Sequence, residues 1–207
     1  VVRVPADRKE ASLLTIADVH SGDAFFDQEK FEDIIYQAEA AKWPSIIIGD
    51  AFAMQLRSSR GSPSDRLWTA EETHKYLRKW FGRITDLIAL IIDGNHELRM
   101  QNEGAYSPTL RLAEALDISD KYSFGTGWLK VCTENDKKIS YSIHATHGAG
   151  GGQLPGSELA MVSKAQQQAV ADIYIAGHLH RGAFSAPGEM EVPDTRNDTV
   201  ERRPFWY

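Results

Sequence analysis

The stretch DLIALIIDGNHE, residues 86–97, places an unbroken apolar run directly before a short polar motif. The run from 86 to 93 is brief and rich in isoleucine and leucine, which favours a strand buried on both faces, as in a parallel sheet. The glycine that follows permits a close approach of the backbone, and the next three side chains can bind metals or move protons. The stretch therefore predicts a buried strand with chemically active residues at its carboxyl end.

Similar apolar runs, rich in β-branched residues, recur along the chain and predict four more strands, at 12–17, 45–49, 139–146 and 172–177. Helical patterns separate these runs and predict four helices. The first covers 27–42 with Asp27 as N-cap, and the second begins at Thr69 with a capping box through Glu72. The third begins at Ser107 and Pro108, and the fourth runs from Ser157 to about Ala171. Strands alternating with helices indicate an α/β fold with crossover connections.

Composition limits the class of protein. The 207 residues, 42% hydrophobic and 25% charged, predict one domain over 1–207 with a polar tail from about 187 that is assigned no secondary structure. Cys132 is the only cysteine, so an internal disulfide and a cysteine-based zinc site are excluded. No apolar run approaches membrane-spanning length and the N-terminus has no signal-peptide pattern, which favours a cytoplasmic protein without a membrane partner.

Each predicted strand leads into a short polar motif. The five motifs are D-x-H at 18–20, G-D at 49–50, G-N-H-E at 94–97, H-G at 147–148 and G-H-x-H at 177–180. Loops at the carboxyl ends of strands in an α/β sheet gather at one edge, where ligands bind. Side chains two positions apart on an extended segment also point to the same side. The motifs are therefore expected to converge on one site.

Seven side chains in these motifs are candidate metal ligands: Asp18, His20, Asp50, Asn95, His147, His178 and His180. They are too many for one four-coordinate zinc ion, but two ions that share a carboxylate would use them all. Imidazole mixed with oxygen ligands suits manganese, iron, zinc, nickel or cobalt better than magnesium or calcium. Two divalent ions outweigh two carboxylates, so the site would attract a phosphate ester.

In this order the motifs resemble the signature of the calcineurin-like metallophosphoesterases, a family of phosphatases, phosphodiesterases and nucleases, over residues 18–180. The resemblance implies a four-layer αββα sandwich of two mixed sheets flanked by helices, with two divalent transition-metal ions, manganese by preference. It implies one ion on Asp18, His20, Asp50 and His180, and a second on Asp50, Asn95, His147 and His178. A hydroxide between the ions would attack phosphorus, and His96 would be the general acid.

One position departs from the family pattern. The family often writes its second motif G-D-x-x-D, and the last aspartate orients the catalytic histidine, whereas this chain has Ala53 there. Either Glu97 or another acid takes that role, or a well-ionised leaving group makes the acid less important. The departure weakly favours diester or activated substrates. Arg99 and Arg181 adjoin the motifs and are candidates for binding a phosphate oxygen.

Several residues have a simpler structural interpretation. His144 competes with His147 for the fourth motif, and His147 is preferred because a glycine follows it; His144 and His74 are expected to be structural. The glycine-rich segment 147–156 is either a phosphate-binding loop or a connector. The segment 55–66 is expected to be a surface loop, and the tryptophans are assigned to packing.

Three functions follow in order of preference. The first is dinuclear-metal-dependent hydrolysis of phosphate monoesters or diesters. The second is a DNA or RNA nuclease with the same chemistry, which the net charge of −6 and the absence of a capping domain disfavour. The third is a non-catalytic scaffold, which would be expected to lose ligands, yet every ligand position is filled. The oligomeric state is left open.

Overall fold

The computed structural model describes residues 1–4, 12–53, 67–104, 106–133, 139–149, 156–180, 188–194 and 199–205. The strands within these ranges are β1 (Val2–Val4), β2 (Leu14–Ile16), β3 (Ser45–Ile48), β4 (Ile88–Ile92), β5 (Tyr122–Ser123), β6 (Thr126–Thr133), β7 (Ile139–Thr146), β8 (Ile173–Ala176), β9 (Gly188–Asp194) and β10 (Thr199–Phe205). The helices are α1 (Gln28–Ala41), α2 (Ala70–Phe81), α3 (Asn95–Gly104), α4 (Pro108–Ala115) and α5 (Ser157–Gln168).

Two four-stranded sheets organise these elements. The first has the strand order β2-β3-β4-β5, and all its neighbouring strands run parallel. The second has the order β1-β6-β7-β8, in which only the central β6–β7 pair is antiparallel. The strands β9 and β10 form a separate antiparallel hairpin. The architecture is mixed α/β, as the alternation of apolar runs and helical patterns predicts.

The predicted helix starts are explained by local capping. The Asp27 carboxylate accepts a hydrogen bond from the Lys30 backbone N–H at the start of α1. At α2, Thr69 and Glu72 form the reciprocal capping box that the sequence indicates. The Ser107 hydroxyl caps α4 one residue before Pro108. Helix α5 begins at Ser157, although its N-cap is Gly156 in a left-handed conformation, and it ends at Gln168.

The two faces of the parallel sheet pack against different layers, because its side chains alternate along each strand. Ile47 and Ile91 share a cluster with helical residues that include Ile35 and Leu77. Ile46, Ile48, Leu90 and Ile92 face the second sheet and pack with Leu129, Ile143 and Ala145. A side chain at Gly127 would lie 2.7 Å from Leu90, so the sheets approach closely there.

The other face of the second sheet contacts α5. Ala165 of this helix and Ala171, which follows the helix, pack with Tyr174 of β8. Apolar burial on both sides of the parallel sheet is the main stabilising term that these contacts supply. Strands β2, β3 and β4 therefore lie between two apolar layers, and polar side chains can be placed only at their ends. Among the described residues, no helix is long and apolar enough to cross a membrane.

The structure corrects several sequence predictions. The polar tail from about 187 was assigned no secondary structure, but it contains the β9–β10 hairpin, whose alternating polar side chains gave no apolar signal. The strand predicted at 86–93 begins later, because residues 82–87 form a 3₁₀ helix. Strands β1, β5 and β6 and helix α3 were not predicted. The predicted loop 55–66 and most of the segment 147–156 lie outside the described residues.

Candidate metal centre

The ends of five strands bring the predicted polar motifs to one place. Asp18 and His20 follow β2, Asp50 follows β3, Asn95 begins α3 after β4, and the remaining histidines follow β7 and β8. The Asp50 carboxylate lies near the middle, with Oδ2 3.1 Å from His147 Nε2 and 3.9 Å from His20 Nε2. The structure thus brings together all seven predicted ligands, across both sheets.

One group of donor atoms comes from Asp18, His20 and His180. His180 Nε2 lies 3.3 Å from Asp18 Oδ1 and 3.2 Å from His20 Nε2. Two imidazole nitrogens facing each other beside a carboxylate leave a position lined by lone pairs, which a cation satisfies. These three residues could therefore hold a metal ion.

A second group is formed by Asp50, His147 and His178. The side-chain oxygen of Asn95 points into it, 2.7 Å from His178 Nδ1 and 3.1 Å from both His147 Nε2 and Asp50 Oδ2. An amide oxygen surrounded only by acceptors is unfavourable unless a cation lies among them or the amide turns so that its nitrogen donates. The arrangement of oxygen and nitrogen donors fits a transition-metal ion.

Hydrogen bonds behind the donor atoms fix their orientation. His147 Nδ1 lies 2.8 Å from the Ile48 carbonyl oxygen, which selects the tautomer that leaves Nε2 free to face the site. The backbone N–H of His96, in the first turn of α3, donates to Asp50 Oδ1 at 2.8 Å. The backbone N–H of His178 donates to both carboxylate oxygens of Asp18, at 3.1 and 3.0 Å. Each of these contacts holds a side chain in the direction that ligation requires.

The backbone is unusual at the same residues. Seven described non-glycine residues have positive φ, and five of them are predicted ligands: Asp18, His20, Asp50, His178 and His180. Lys42 is one of the other two and has an ordinary role as the C-cap of α1. A left-handed conformation costs a residue with a side chain about 1 to 3 kcal/mol, and such strain concentrates at functional sites. Left-handed conformations are concentrated among the predicted ligands, and this distinguishes these residues from the ends of ordinary strands.

Glycines on either side of Asp50 allow the loops to meet. Gly49 has a φ of 84°, and a Cβ there would lie 2.5 Å from the Cα of Gly94 and 2.6 Å from His147 Nδ1. A Cβ at Gly94 would collide with the backbone nitrogen and carboxylate of Asp50. The two glycines of the G-D and G-N-H-E motifs are therefore required by close packing of the loops that follow β3 and β4.

Glu97 has a structural role that the sequence left open. It is completely buried, and its carboxylate accepts hydrogen bonds from the backbone N–H groups of Gly94 at 2.8 Å and of Asp50 and Phe52 at 3.0 Å. Both oxygens are directed at backbone donors, so Glu97 joins the Asp50 loop to the start of α3. Burial, together with the charge of Asp50, raises the pKa of Glu97 to about 8.

His96 lies at the mouth of the site, with Nε2 3.8 Å from Asp50 Oδ2. Its Nδ1 is buried and has no hydrogen-bond partner among the described residues, and Glu97 is engaged with backbone groups instead. Burial lowers the pKa of His96 to about 4. The positive charges of His20 and Arg99 also lower it, whereas the negative charge of the Asp50 carboxylate raises it. A neutral imidazole therefore faces the site at neutral pH.

Three other ionisable groups of the site have shifted pKa values. Burial acts to raise the pKa of Asp50, but the hydrogen bond and charge of His147 and the charge of His96 outweigh it, so the pKa lies below its usual range. Burial lowers the pKa of His20, although Asp50 opposes the shift. At neutral pH Asp50 is therefore ionised and His20 unprotonated, which are the forms that ligate metals. His147 differs: burial acts to lower its pKa, but the hydrogen bond and charge of Asp50 outweigh burial and raise it, so a bound cation would have to displace a proton there.

The remaining candidates have different positions. Arg99 Nε donates to the backbone carbonyl of Asn95 at 3.1 Å, so the side chain lies along the first turns of α3. Arg181 lies outside the described residues. His144 is buried between Trp128 and Tyr174 on the second sheet, as its structural interpretation predicts, while His147 is in the site. His74, on α2, packs near Phe52.

Neither a scan against models of known protein families nor a search of curated protein sequences found a match. The sequence motifs identified the seven side chains that the structure brings together, but not the buried carboxyl group of Glu97 that supports the loops. The only sequence signal for that role is its position three residues after Gly94, inside the first turn of α3.

Proposed function

We propose that this protein hydrolyses phosphate esters with two divalent transition-metal ions, as a member of the calcineurin-like metallophosphoesterases with the four-layer αββα sandwich of that family. The main support is that two groups of donor atoms lie side by side and that the Asp50 carboxylate is close to both. A shared carboxylate between two ligand groups is the arrangement that a two-metal hydrolase needs. The contacts of the parallel sheet with helices on one face and with the second sheet on the other agree with the proposed sandwich.

The donor atoms can be divided between two ions, although His96 also lies within ligating distance of His20 and Asp50. Asp18, His20 and His180 would hold one ion, and Asn95, His147 and His178 the other, with Asp50 shared between them. The mixed nitrogen and oxygen ligands favour manganese, with iron, zinc, nickel or cobalt as alternatives. When bound, the two ions supply a hydroxide nucleophile at neutral pH and balance the negative charge of the phosphoryl oxygens.

The protein's own residues would position the reacting groups. Asp50, held by the His96 backbone N–H and by His147, fixes the relative position of the two ligand groups. His96 Nε2 faces the same space and would donate a hydrogen bond to the leaving oxygen. Because the His96 pKa is low and its Nδ1 lacks a partner among the described residues, little of it is protonated at neutral pH, and the negative charge of bound substrate would favour the protonated form that donates to the leaving oxygen. Esters with well-ionised leaving groups are therefore proposed as the better substrates.

The first experiment measures metal content and hydrolysis together. Protein stripped with a chelator and reloaded with Mn²⁺ is expected to hold two ions per chain and to hydrolyse bis(4-nitrophenyl) phosphate. Asp50→Asn should lose bound manganese and reduce turnover by more than about 100-fold, since even residues behind the ligands change activity by 10- to 100-fold. His74→Asn, a substitution of a histidine outside the donor groups, should keep both properties.

The outcomes separate the three candidate functions. Hydrolysis of single- or double-stranded DNA at a higher kcat/KM than the chromogenic diester would replace the general phosphoesterase with a nuclease. Failure to bind manganese, zinc, iron, nickel or cobalt would contradict the proposal and favour a non-catalytic scaffold. Turnover in Asp50→Asn equal to that of the unchanged protein would remove the shared carboxylate from the mechanism.

The role of His96 is tested by changing the leaving group. If His96 assists departure, His96→Ala should reduce kcat more for a diester with an alkyl leaving group than for one with 4-nitrophenolate, because alkoxide needs a proton more. Metal content should stay unchanged. Equal losses for both leaving groups would show that His96 positions the substrate without assisting departure.

A further inference from the structure

A groove beside the candidate metal centre has a chemical character that the metal ligands do not explain. Its volume is about 660 Å³, and it runs between the outer edge of β2 and helix α1. One end is formed by His20, His96 and His180, so the groove is continuous with the proposed reaction site. The rest is lined largely by apolar side chains, among them Ile16, Phe25, Phe26, Phe31 and Ile34.

Phe25 is the most unusual residue of this groove. Its side chain is 88% exposed, although it lies only five residues after His20 on the same loop. The backbone N–H of Phe25 donates to Asp23 Oδ1 at 2.9 Å, a local turn that holds the residue at the groove wall. Single exposed apolar side chains are common on protein surfaces, but Phe25 lines an apolar groove that also contacts His20, His96 and His180, the kind of position where ligands bind.

Phe26, the next residue, is tightly packed and supports this wall of the groove. The Phe26 ring packs against Phe31 and Tyr76, each with ring centroids 5.7 Å apart, and against Trp68 at 5.9 Å. Phe31 is buried in the core cluster beneath α1. Phe26 therefore anchors the loop, and Phe25 offers an aromatic face from a supported backbone rather than from a free chain end.

We propose that this groove binds an aromatic ring carried by the substrate, so that aryl-substituted phosphate esters are the preferred substrate class. The inference rests on the proposed function, because the phosphoryl group at the metal centre is what brings its substituent beside His96. The open face of Phe25 suits a planar ring, since aromatic pairs in offset or edge-to-face contact gain stabilisation beyond that of the area they bury. The apolar length of the groove accommodates the remainder of such a substituent.

The test measures binding rather than turnover. Manganese-loaded protein is titrated calorimetrically with methylphosphonate, cyclohexylphosphonate and phenylphosphonate, which share a phosphoryl head but differ in the substituent. Phenylphosphonate should bind at least about tenfold more tightly than methylphosphonate, since burial of a ring against apolar walls is favourable. It should also bind more tightly than cyclohexylphosphonate, and equal affinity of those two would overturn the assignment of an aromatic ring.

Two matched variants locate the effect. Phe25→Ala should lower the phenyl-to-methyl affinity ratio by at least about threefold, since the other apolar walls of the groove remain. Phe124→Ala removes a phenylalanine that is 60% exposed and does not line the groove, and it should leave the ratio unchanged. An unchanged ratio in Phe25→Ala would overturn the proposal, because the groove wall would then contribute nothing to selectivity.

The groove proposal and the proposed function can fail separately. A preference for the phenyl compound without hydrolysis of any ester would support the groove and overturn the hydrolase. Hydrolysis without that preference would support the hydrolase and overturn the groove. If none of the three phosphonates binds the manganese-loaded protein, the groove proposal is wrong, and metal content and ester hydrolysis alone decide the proposed function.

Discussion

At the scale of single residues, the candidate centre depends on groups that do not touch the proposed ions. Glu97 accepts three backbone hydrogen bonds from the loops that carry Asp50 and Asn95. Gly49 and Gly94 allow these loops to approach within a distance that any Cβ would prevent. Even when all seven candidate ligands are present, their side chains can therefore fail to come together if Glu97, Gly49 or Gly94 is replaced.

Replacement of Glu97 tests the support directly. Glu97→Ala would leave the buried N–H groups of Gly94, Asp50 and Phe52 without acceptors, and each such group costs about 1 to 3 kcal/mol. We expect the free energy of unfolding to fall by about 3 kcal/mol or more in urea denaturation. Glu29→Ala, an exposed change in α1, should alter it by less than about 0.5 kcal/mol. A loss in Glu97→Ala no larger than in this control would contradict the assigned role.

The raised pKa of Glu97 predicts a pH dependence in the metal-free protein. Burial raises its pKa from the usual 4.5 to about 8, so between these values the folded state binds more protons than the unfolded state. The free energy of unfolding from this group therefore falls as pH rises from about 5 to 8. Glu97→Gln should flatten this decline in chemical denaturation series at several pH values. Parallel curves for the two proteins would contradict the shift.

Gly94→Ala tests the close approach of the two loops. Its Cβ would collide with the backbone of Asp50, which cannot rotate away as a flexible side chain would. We expect a loss of about 1 to 3 kcal/mol in stability together with weaker manganese binding. Gly82→Ala is the matched control, because the nearest atom to its Cβ, in Leu116, is 3.8 Å away and its backbone is helical. A control variant less stable than Gly94→Ala would refute the packing argument.

At the scale of elements, β2, β3, β4, β7 and β8 each end within three residues of a predicted ligand, and helices support some of those ends. Helix α3 begins at Asn95, so a ligand and the His96 backbone N–H that fixes Asp50 both come from its first turn. Helix α2 packs Leu77, Trp80 and Phe81 against the parallel sheet and supports the strands from the other side. The capping groups of these helices thus contribute indirectly to the position of the centre.

The capping box of α2 is tested by Thr69→Ala. The Thr69 hydroxyl accepts from the Glu72 backbone N–H at 3.2 Å, and its loss should cost about 1 kcal/mol of the free energy of unfolding. Metal content should not change, because the cap is remote from the donor atoms. Glu71→Gln, which removes an exposed ion pair with Lys75, should leave the unfolding midpoint where it was. Equal effects of both variants would show that the cap is not formed in solution.

At the scale of the whole molecule, the candidate metal centre lies where the two sheets meet. Asp18, Asp50 and Asn95 follow strands of the parallel sheet, whereas His147 and His178 follow strands of the second sheet. Ions bound there would link both layers at the edge where the shared apolar core ends. Ligand binding that requires the folded arrangement stabilises the fold, since the separated residues of an unfolded chain cannot form the site.

Metal loading should therefore raise the thermal unfolding midpoint. At a free Mn²⁺ concentration about 100 times the dissociation constant, the expected gain is about 2.7 kcal/mol for each site. The gain should diminish as pH falls below about 6.5, because protonated imidazoles cannot ligate. Calorimetric scans with Mn²⁺ and with chelator, at pH 7.5 and 5.5, measure this, and Asp50→Asn should lose most of the gain. An identical midpoint with and without Mn²⁺ would contradict the coupling.

The local signals in the sequence were sufficient for some elements and insufficient for others. Strand β7 occupies the predicted residues 139–146, and the caps at Asp27, Thr69 and Ser107 form as predicted. Strands β9 and β10 were missed because their pairing depends on backbone hydrogen bonds between polar segments. Helix α3 was missed because its sequence, NHELRMQNEG, has no apolar stripe of its own.

The amino-acid sequence alone determined the alternation of strands and helices and the identity of the seven candidate ligands, because apolar periodicity, caps and motif order are local properties. Only the tertiary structure decided which donor atoms share Asp50, that Glu97 supports the loops without orienting His96, and that Phe25 lines a groove beside the centre. These depend on distances between residues as many as 160 positions apart in the chain, which are set by how two sheets pack and not by neighbouring residues.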